Sequence, residues 1–315
     1  MLSIIIIVAP AFALVALGFV VAKTGYLGPG SGKVLAEFGF KLAMPALLFR
    51  AVLNLEESNV RPFALWAAYF GSLAIVWALA SAATRFLLRR PATDAPAIAM
   101  AAGFGNTVML GIPMALLAFG PEAATPVALL VSMDTPLLWL IGTLHQEWAG
   151  RRPGATLGGA VCAIGLDLVR NPILMAIVLG ALFRLAGIGL DPLSDRVLTM
   201  LGAAAVPTAL VALGMTVAAF ELKGQVPTLT VIGVLKLLAF PAIAWLIVTF
   251  VVALPPVWAN VAILFAALPV GANAYLFAAR YERAVGSVSA SIAVSTLIAA
   301  LTVTLVLAAL KDASG

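Results

Sequence analysis

The stretch GFGNTVMLGIP, residues 103–113, lies in the middle of an otherwise apolar segment. Its three glycines and one proline disfavour an uninterrupted helix, because glycine is a poor helix former and proline removes a backbone donor. At membrane depth such a break is tolerated only where the freed N–H and C=O groups face protein or a watery cavity. The stretch therefore predicts a functional site inside a membrane protein.

A second break of the same kind is predicted in LPVGANAY, residues 268–275. Each stretch combines an asparagine with proline and glycine. Two interrupted hydrophobic segments in corresponding positions of two halves of a chain indicate the substrate site of a secondary transporter.

The composition indicates that the bilayer is the solvent of this chain. Of its 315 residues, 63% are hydrophobic and 10% are charged, whereas about a quarter are charged in an average soluble domain. The net charge of +5 comes from basic residues that lie between apolar segments and form no stripe with aromatics. This pattern argues against a nucleic-acid partner.

The sequence offers no pattern for catalysis or for a cofactor. The motifs HExxH and GxSxG and a phosphate-binding loop are absent. The one cysteine, Cys162, cannot form an internal disulfide, and no Cys/His cluster has metal-ligand spacing. We therefore predict a protein that is not an enzyme and that uses neither metal nor cofactor.

About 20 apolar residues cross a bilayer as a helix, and this length predicts an all-α polytopic protein with ten transmembrane helices. The first run is taken as a span and not as a signal peptide, because no positive charge precedes it. The predicted spans are 3–22, 34–53, 62–86, 95–119, 122–147, 170–187, 195–220, 226–253, 257–281 and 285–310.

The spans divide into two repeats, residues 1–147 and 170–315, joined by a cytoplasmic loop at 148–169. Spans two and seven each contain a proline, Pro45 and Pro207, and spans four and nine are the interrupted ones. A repeat with an odd number of spans enters the membrane from opposite sides in its two copies. The sequence therefore predicts a 5+5 inverted repeat.

Lysine and arginine concentrate in the loops that follow odd-numbered spans, as at Arg85, Arg89 and Arg90. Cytoplasmic loops carry the excess of basic residues. Both termini are therefore predicted on the periplasmic or extracellular side.

The two broken segments resemble the auxin efflux carrier family of membrane transporters. The match lies in Asn106-x-x-x-x-Gly111-Ile112-Pro113 and in Leu268-Pro269-x-x-x-Asn273-x-Tyr275, and the likeness extends over essentially the whole chain. The chain lacks the long central cytoplasmic region of many plant members, so it looks like a bacterial form. A bacterial inner membrane is the expected location.

The resemblance implies an architecture and a substrate class. Spans one, two, six and seven would form a scaffold, and spans three to five and eight to ten would form a transport domain that moves as an elevator. The two unwound segments, in spans four and nine, would cross near the bilayer midplane. Substrates would be organic anions, which are auxin for plant members and malate, malonate and related carboxylates for bacterial ones. A homodimer is one assembly compatible with the sequence.

A broken helix also has the chemistry for an anion, since each new N-terminus carries partial positive charge and unpaired N–H donors. Asn106 and Asn273 can bind the anion or cap the half-helices, and both roles can coexist. Tyr275 either lines the cavity or packs. The candidate substrate-binding residues are Asn106, Gly111, Pro113, Pro269, Asn273 and Tyr275, of which the two prolines are expected chiefly to enforce the breaks.

Two charged residues lie deep within predicted spans, where a charge needs a physical reason. Asp134 lies near the centre of span five, where a charge costs about 2.5–3.5 kcal/mol on insertion scales. Lys236 lies about 15 Å into span eight at helical rise. Asp134 is either a proton-coupling carboxyl or a protonated or paired structural group, and Lys236 either pairs with it or is uncharged. Proton coupling through Asp134 and Lys236 is the functional hypothesis.

The sequence thus predicts a secondary transporter of small organic carboxylates that works by alternating access. One alternative is a sodium-coupled anion symporter of the bile-acid type, although acidic sodium ligands are absent near the two breaks. A membrane receptor is a second alternative, and the short loops argue against it.

Overall fold

The computed structural model describes residues 2–54, 62–150, 171–220 and 225–314, and in these residues the chain is helical. The loop predicted at 148–169 lies outside these ranges from residue 151 onward. The helices are α1 (Leu2–Thr24), α2 (Ser31–Phe38), α3 (Met44–Leu53), α4 (Pro62–Ala82), α5 (Ala95–Gly103), α6 (Ile112–Phe119), α7 (Ala124–Gly150), α8 (Pro172–Leu185), α9 (Pro192–Ala203), α10 (Ala205–Ala219), α11 (Val226–Val234), α12 (Phe240–Phe250), α13 (Pro256–Ala267), α14 (Ala272–Tyr281) and α15 (Val285–Ser314).

Five helical segments among the described residues are long and apolar enough to cross a membrane. They correspond to predicted spans three, five, seven, eight and ten. Shorter apolar helices lie at four further predicted spans. The five long segments are Pro62–Leu87, Pro121–Gly150, Pro192–Ala219, Val226–Phe250 and Val285–Leu310.

Both predicted breaks are present in the structure. Span four is divided into α5 and a second helical segment that begins at Thr107, and span nine is divided into α13 and α14. Pro136 causes no such break, because α7 runs through this proline without interruption. A proline inside a helix removes one hydrogen bond, and α7 continues for several turns on either side of this position.

Three short π-helical turns each end two residues before a proline. Gly39–Ala43 precedes Pro45, Thr107–Gly111 precedes Pro113, and Leu235–Ala239 precedes Pro241. The proline ring clashes with the carbonyl four residues earlier and supplies no N–H to it. A widened turn accommodates both effects, so the prolines account for the position of these turns.

The chain forms two compact units. Unit 1 contains α1–α3, α6, the start of α7 to Ser132, and α8–α10. Unit 2 contains α4, α5, α7 from Met133, and α11–α15. The resemblance places spans four and five wholly in one domain, whereas these units divide span four between Thr107 and Val108, immediately after the break.

Within unit 1, α1 packs on α10 and α3 packs on α8. Glycine allows both pairs of helices to approach closely. A methyl group added at Gly18 of α1 would overlap the carbonyl oxygen of Val211, and one added at Gly180 of α8 would lie 2.7 Å from the carbonyl oxygen of Phe49. The two contacts are related by a shift of 162 positions with the roles exchanged, since Gly180 lies 162 positions after Gly18 and Val211 lies 162 positions after Phe49.

Candidate functional site

The two breaks lie side by side in unit 2 and hydrogen-bond to each other. Gly105 and Val270 form an antiparallel bridge. The N–H of Asn106 donates to the carbonyl of Pro269 at 2.9 Å, and the N–H of Gly271 donates to the carbonyl of Phe104 at 3.0 Å. We call residues 104–106 and 269–271 the paired breaks. The pairing satisfies backbone groups that lipid could not satisfy.

The close approach of the paired breaks requires glycine. A methyl group added at Gly271 would lie 2.5 Å from the carbonyl oxygen of Gly105 and 2.7 Å from the ring of Phe104. One added at Gly105 would lie 3.3 Å from the carbonyl oxygen of Phe265. Gly271 is therefore needed for the backbones to meet, and the space beside Gly105 is tight.

A serine of the last helix completes the hydrogen bonding. The hydroxyl of Ser295, which is buried, accepts a hydrogen bond from the N–H of Val270 at 3.0 Å. Sequence analysis did not assign Ser295 to the site. The signal was present as serines at 287, 289, 291 and 295 in an apolar helix, but the partner of each could not be read from one segment.

The predicted binding residues fall into two groups. Asn106, Pro269, Asn273 and Tyr275 are in unit 2, at the paired breaks or in the first turn of α14. The Asn106 side chain is buried, and the Tyr275 ring meets Phe220 edge to face at 5.4 Å between centroids. Gly111 and Pro113 are buried in unit 1, at the start of α6.

Asp134 lies in the interior of unit 2 and touches the segment that follows the first break. Its side chain is fully buried, and Oδ2 accepts a hydrogen bond from the Thr107 hydroxyl at 3.2 Å. The hydroxyl of Tyr69, which is also fully buried, has no hydrogen-bond partner among the described residues. Oδ1 has no hydrogen-bond donor among the described residues. A buried acceptor without a donor is uncommon and marks a candidate functional group.

Lys236 is also fully buried, and it lies at the other break. Its Nζ donates to the carbonyl of Ala266, in the last turn of α13, at 2.9 Å, and it lies 4.5 Å from the ring centre of Phe240. The direct contact of the ammonium is therefore with the helix end, and the pairing with Asp134 stays a prediction.

His145 is half-buried in unit 2. Its Nδ1 accepts a hydrogen bond from the Trp77 indole N–H at 3.1 Å. Glu37 and Lys41 form an ion pair at 3.2 Å between exposed side chains of unit 1. Neither feature belongs to the paired breaks.

A helical membrane protein with two interrupted helices joined at their breaks, and with buried charges beside them, has the construction of a membrane transporter. The family comparison agrees. The model of a family described as "Membrane transport protein" matches residues 3–146 and 161–307. The chain belongs to this family, and the resemblance to auxin efflux carriers is confirmed.

Two relatives are similar over nearly the whole chain. A protein of Rhizobium meliloti (strain 1021) named "Putative malonate transporter" is 30% identical over 303 residues, covering 95% of this chain and 93% of the relative. A protein of Methanothermobacter thermautotrophicus named "Uncharacterized transporter" is 26% identical over 295 residues, covering 90% of this chain and 91% of the relative.

Proposed function

We propose that the protein is a secondary transporter of small organic carboxylates, of the malate and malonate type or of the auxin type. The observation that carries this proposal is the pairing of the two breaks, which brings helix ends together inside an apolar protein. The name of the Rhizobium relative supports a dicarboxylate as the first substrate to test.

The N-terminal turn of α14 is the proposed receptor for the carboxylate. Half-helix N-termini carry partial positive charge and point N–H donors outward. Asn273 is in this first turn, and Asn106 belongs to the paired breaks, where its N–H bonds to Pro269. The start of the other half-helix, at Thr107, already has the carboxylate of Asp134 beside it. The α14 end is therefore the better place for a substrate anion.

A 5+5 inverted repeat of ten spans is part of the proposal, and one internal correspondence supports it. The glycine contacts of unit 1 are related by a shift of 162 positions, with Gly18 facing Val211 and Gly180 facing Phe49. A two-fold relation between the halves produces such exchanged contacts.

Proton coupling through Asp134 and Lys236 is the proposed energy source. A buried carboxylate with one oxygen that has no donor among the described residues can take up a proton. An elevator-type movement is proposed from the family resemblance. We also propose an inner-membrane location with both termini outside, and a homodimer as the assembly.

Liposome transport with purified protein tests the carboxylate site. We expect Asn273→Ala and Asn106→Ala to reduce uptake of labelled malonate at least tenfold, because each removes an amide at the proposed receptor. Asn54→Ala is the matched control, since Asn54 is exposed at the end of α3 in unit 1. Normal uptake and binding in both site variants, with folding intact, would remove the asparagines from the site.

A further inference from the structure

Lys236 lies where a transporter of this construction would otherwise hold a coupling cation. Unwound backbone carbonyls and the C-terminal ends of half-helices are the groups that coordinate sodium in transporters with broken helices. Ala266 is the penultimate residue of α13, and the last carbonyls of a helix lack helical donors and carry partial negative charge. The Lys236 ammonium donates to this carbonyl at 2.9 Å.

The surroundings of the ammonium are those of a cation held in place. The Phe240 ring lies 4.5 Å from Nζ, and the face of an aromatic ring attracts a cation. A methyl group added at Gly105 would lie 3.4 Å from Nζ and 3.3 Å from the Phe265 carbonyl oxygen. The ammonium therefore lies close to the first break and to two carbonyls at the end of α13. A side chain larger than hydrogen at Gly105 would crowd it.

Proline chemistry fixes the position of Lys236. The residue lies in the π-helical turn Leu235–Ala239, which ends two residues before Pro241. A π turn rotates the side chains that follow relative to a regular helix, and such turns are frequent at functional sites. Lys236 therefore lies in a widened turn of span eight, and its side chain contacts the end of α13 at the break of span nine.

We propose that the ammonium of Lys236 is a resident cation that replaces a coupling sodium ion at the end of α13, so that the transporter works without sodium. The inference rests on the proposed carboxylate transport and specifies its ion dependence. The tethered charge holds the helix end permanently. It carries no energy from a sodium gradient, and sodium coupling of the bile-acid type is therefore not expected.

The test uses the purified full chain and measures thermal unfolding without any carboxylate, which separates it from the proposed substrate. We expect the unfolding midpoint of the wild type to be the same in sodium and in choline chloride. Lys236→Ala should unfold at a lower temperature and should regain about 2 °C or more in methylammonium or sodium chloride relative to choline. These small cations would occupy the place of the missing ammonium.

A wild type that is stabilised by sodium, or that takes up carboxylate only with a sodium gradient, would overturn the proposal. So would a folded Lys236→Ala protein that neither sodium nor methylammonium stabilises. If Lys236→Ala does not fold, Lys236→Met replaces it in the test, because methionine keeps the apolar stem of the side chain. The sodium dependence of wild-type uptake still tests whether the transporter works without sodium. Lys41→Ala, at an exposed side chain, is the control for loss of a lysine.

The double variant Asp134→Asn/Lys236→Met separates two roles of the lysine. If Lys236 served only as the counter-charge of Asp134, removing both charges would restore wild-type stability and overturn the proposal. We expect the double variant to remain less stable than the wild type, because the α13 end still lacks its donor. Malonate binding, measured separately, reports on the carboxylate site alone.

Discussion

Asp134 and Lys236 are two buried charges, and each lies at a helix end of the sign that favours it. Asp134 contacts Thr107, where the second half of span four begins, and Lys236 contacts Ala266, where the first half of span nine ends. Interactions of this kind contribute up to about 2 kcal/mol in partly buried sites. They offset part of the cost of holding a charge inside a membrane protein.

Asp134→Asn tests the proton-coupling hypothesis. The amide has nearly the same shape but takes up no proton in this range of pH, so we expect carboxylate uptake to lose its dependence on an imposed pH gradient. Uptake into liposomes at a series of external pH values measures this. Glu122→Gln is the control, because Glu122 is exposed. A variant with the pH profile of the wild type would reject the hypothesis.

Ser295→Ala tests the support of the second break. The change leaves the buried N–H of Val270 without its partner, which destabilises by about 1–3 kcal/mol. Ser291→Ala is a matched control one turn away, since Ser291 is equally buried and its recorded hydrogen bond is to the Val288 carbonyl of its own helix. We expect a lower unfolding temperature in detergent for the Ser295 variant and little change for the control. Equal effects would mean that the bond to Val270 is unimportant.

The breaks are the elements that the sequence predicts best. Glycine and proline act on the backbone locally, so their effect on spans four and nine is visible in a short stretch. The bond of Lys236 to Ala266 and that of Ser295 to Val270 join different spans, and no local pattern contains them. Pro136 shows that proline alone does not predict a break, because α7 continues through it.

Gly271→Ala tests the close approach of the two broken segments. Its methyl group would meet the Gly105 carbonyl and the Phe104 ring, so the hydrogen bonds between the breaks must lengthen. Overpacking of this kind costs about 1–3 kcal/mol. We expect lower thermal stability together with loss of carboxylate uptake.

Gly233→Ala is the control for that change, because it lies in a helix of the same unit with open space around it. Alanine is the better helix former by about 0.5–1 kcal/mol, so this control should be as stable as the wild type or more stable. Full activity of the Gly271 variant would show that the breaks tolerate separation.

For the whole molecule, the repeat proposal makes a symmetric prediction. Gly18 and Gly180 occupy corresponding positions in the two halves, and each faces a backbone carbonyl of the other half. We expect Gly18→Ala and Gly180→Ala to lower the unfolding temperature to a similar degree, whereas Gly71→Ala, with open space at its side, should not. An effect at only one of the two glycines would argue against a two-fold relation.

The approximate limits of the five long apolar segments could also be predicted at this scale, because apolar length is a property of composition. The division of the chain into two compact units could not be predicted from the sequence. It separates the first half of span four from the second, and this depends on which helices pack together. Hydropathy does not indicate which helices pack together, since most faces of a membrane helix are apolar.

The pairing of Gly105 with Val270 also has a consequence for biosynthesis. The ribosome synthesises span four long before span nine. During translation the backbone groups of the first break therefore lack their hydrogen-bond partners in the second break. The nascent protein must pass through a stage in which this region is shielded by water, by the insertion machinery or by a neighbouring helix. A chain truncated ahead of span nine should therefore be retained by the translocon or degraded, and pulse-chase labelling of such truncations would reveal it.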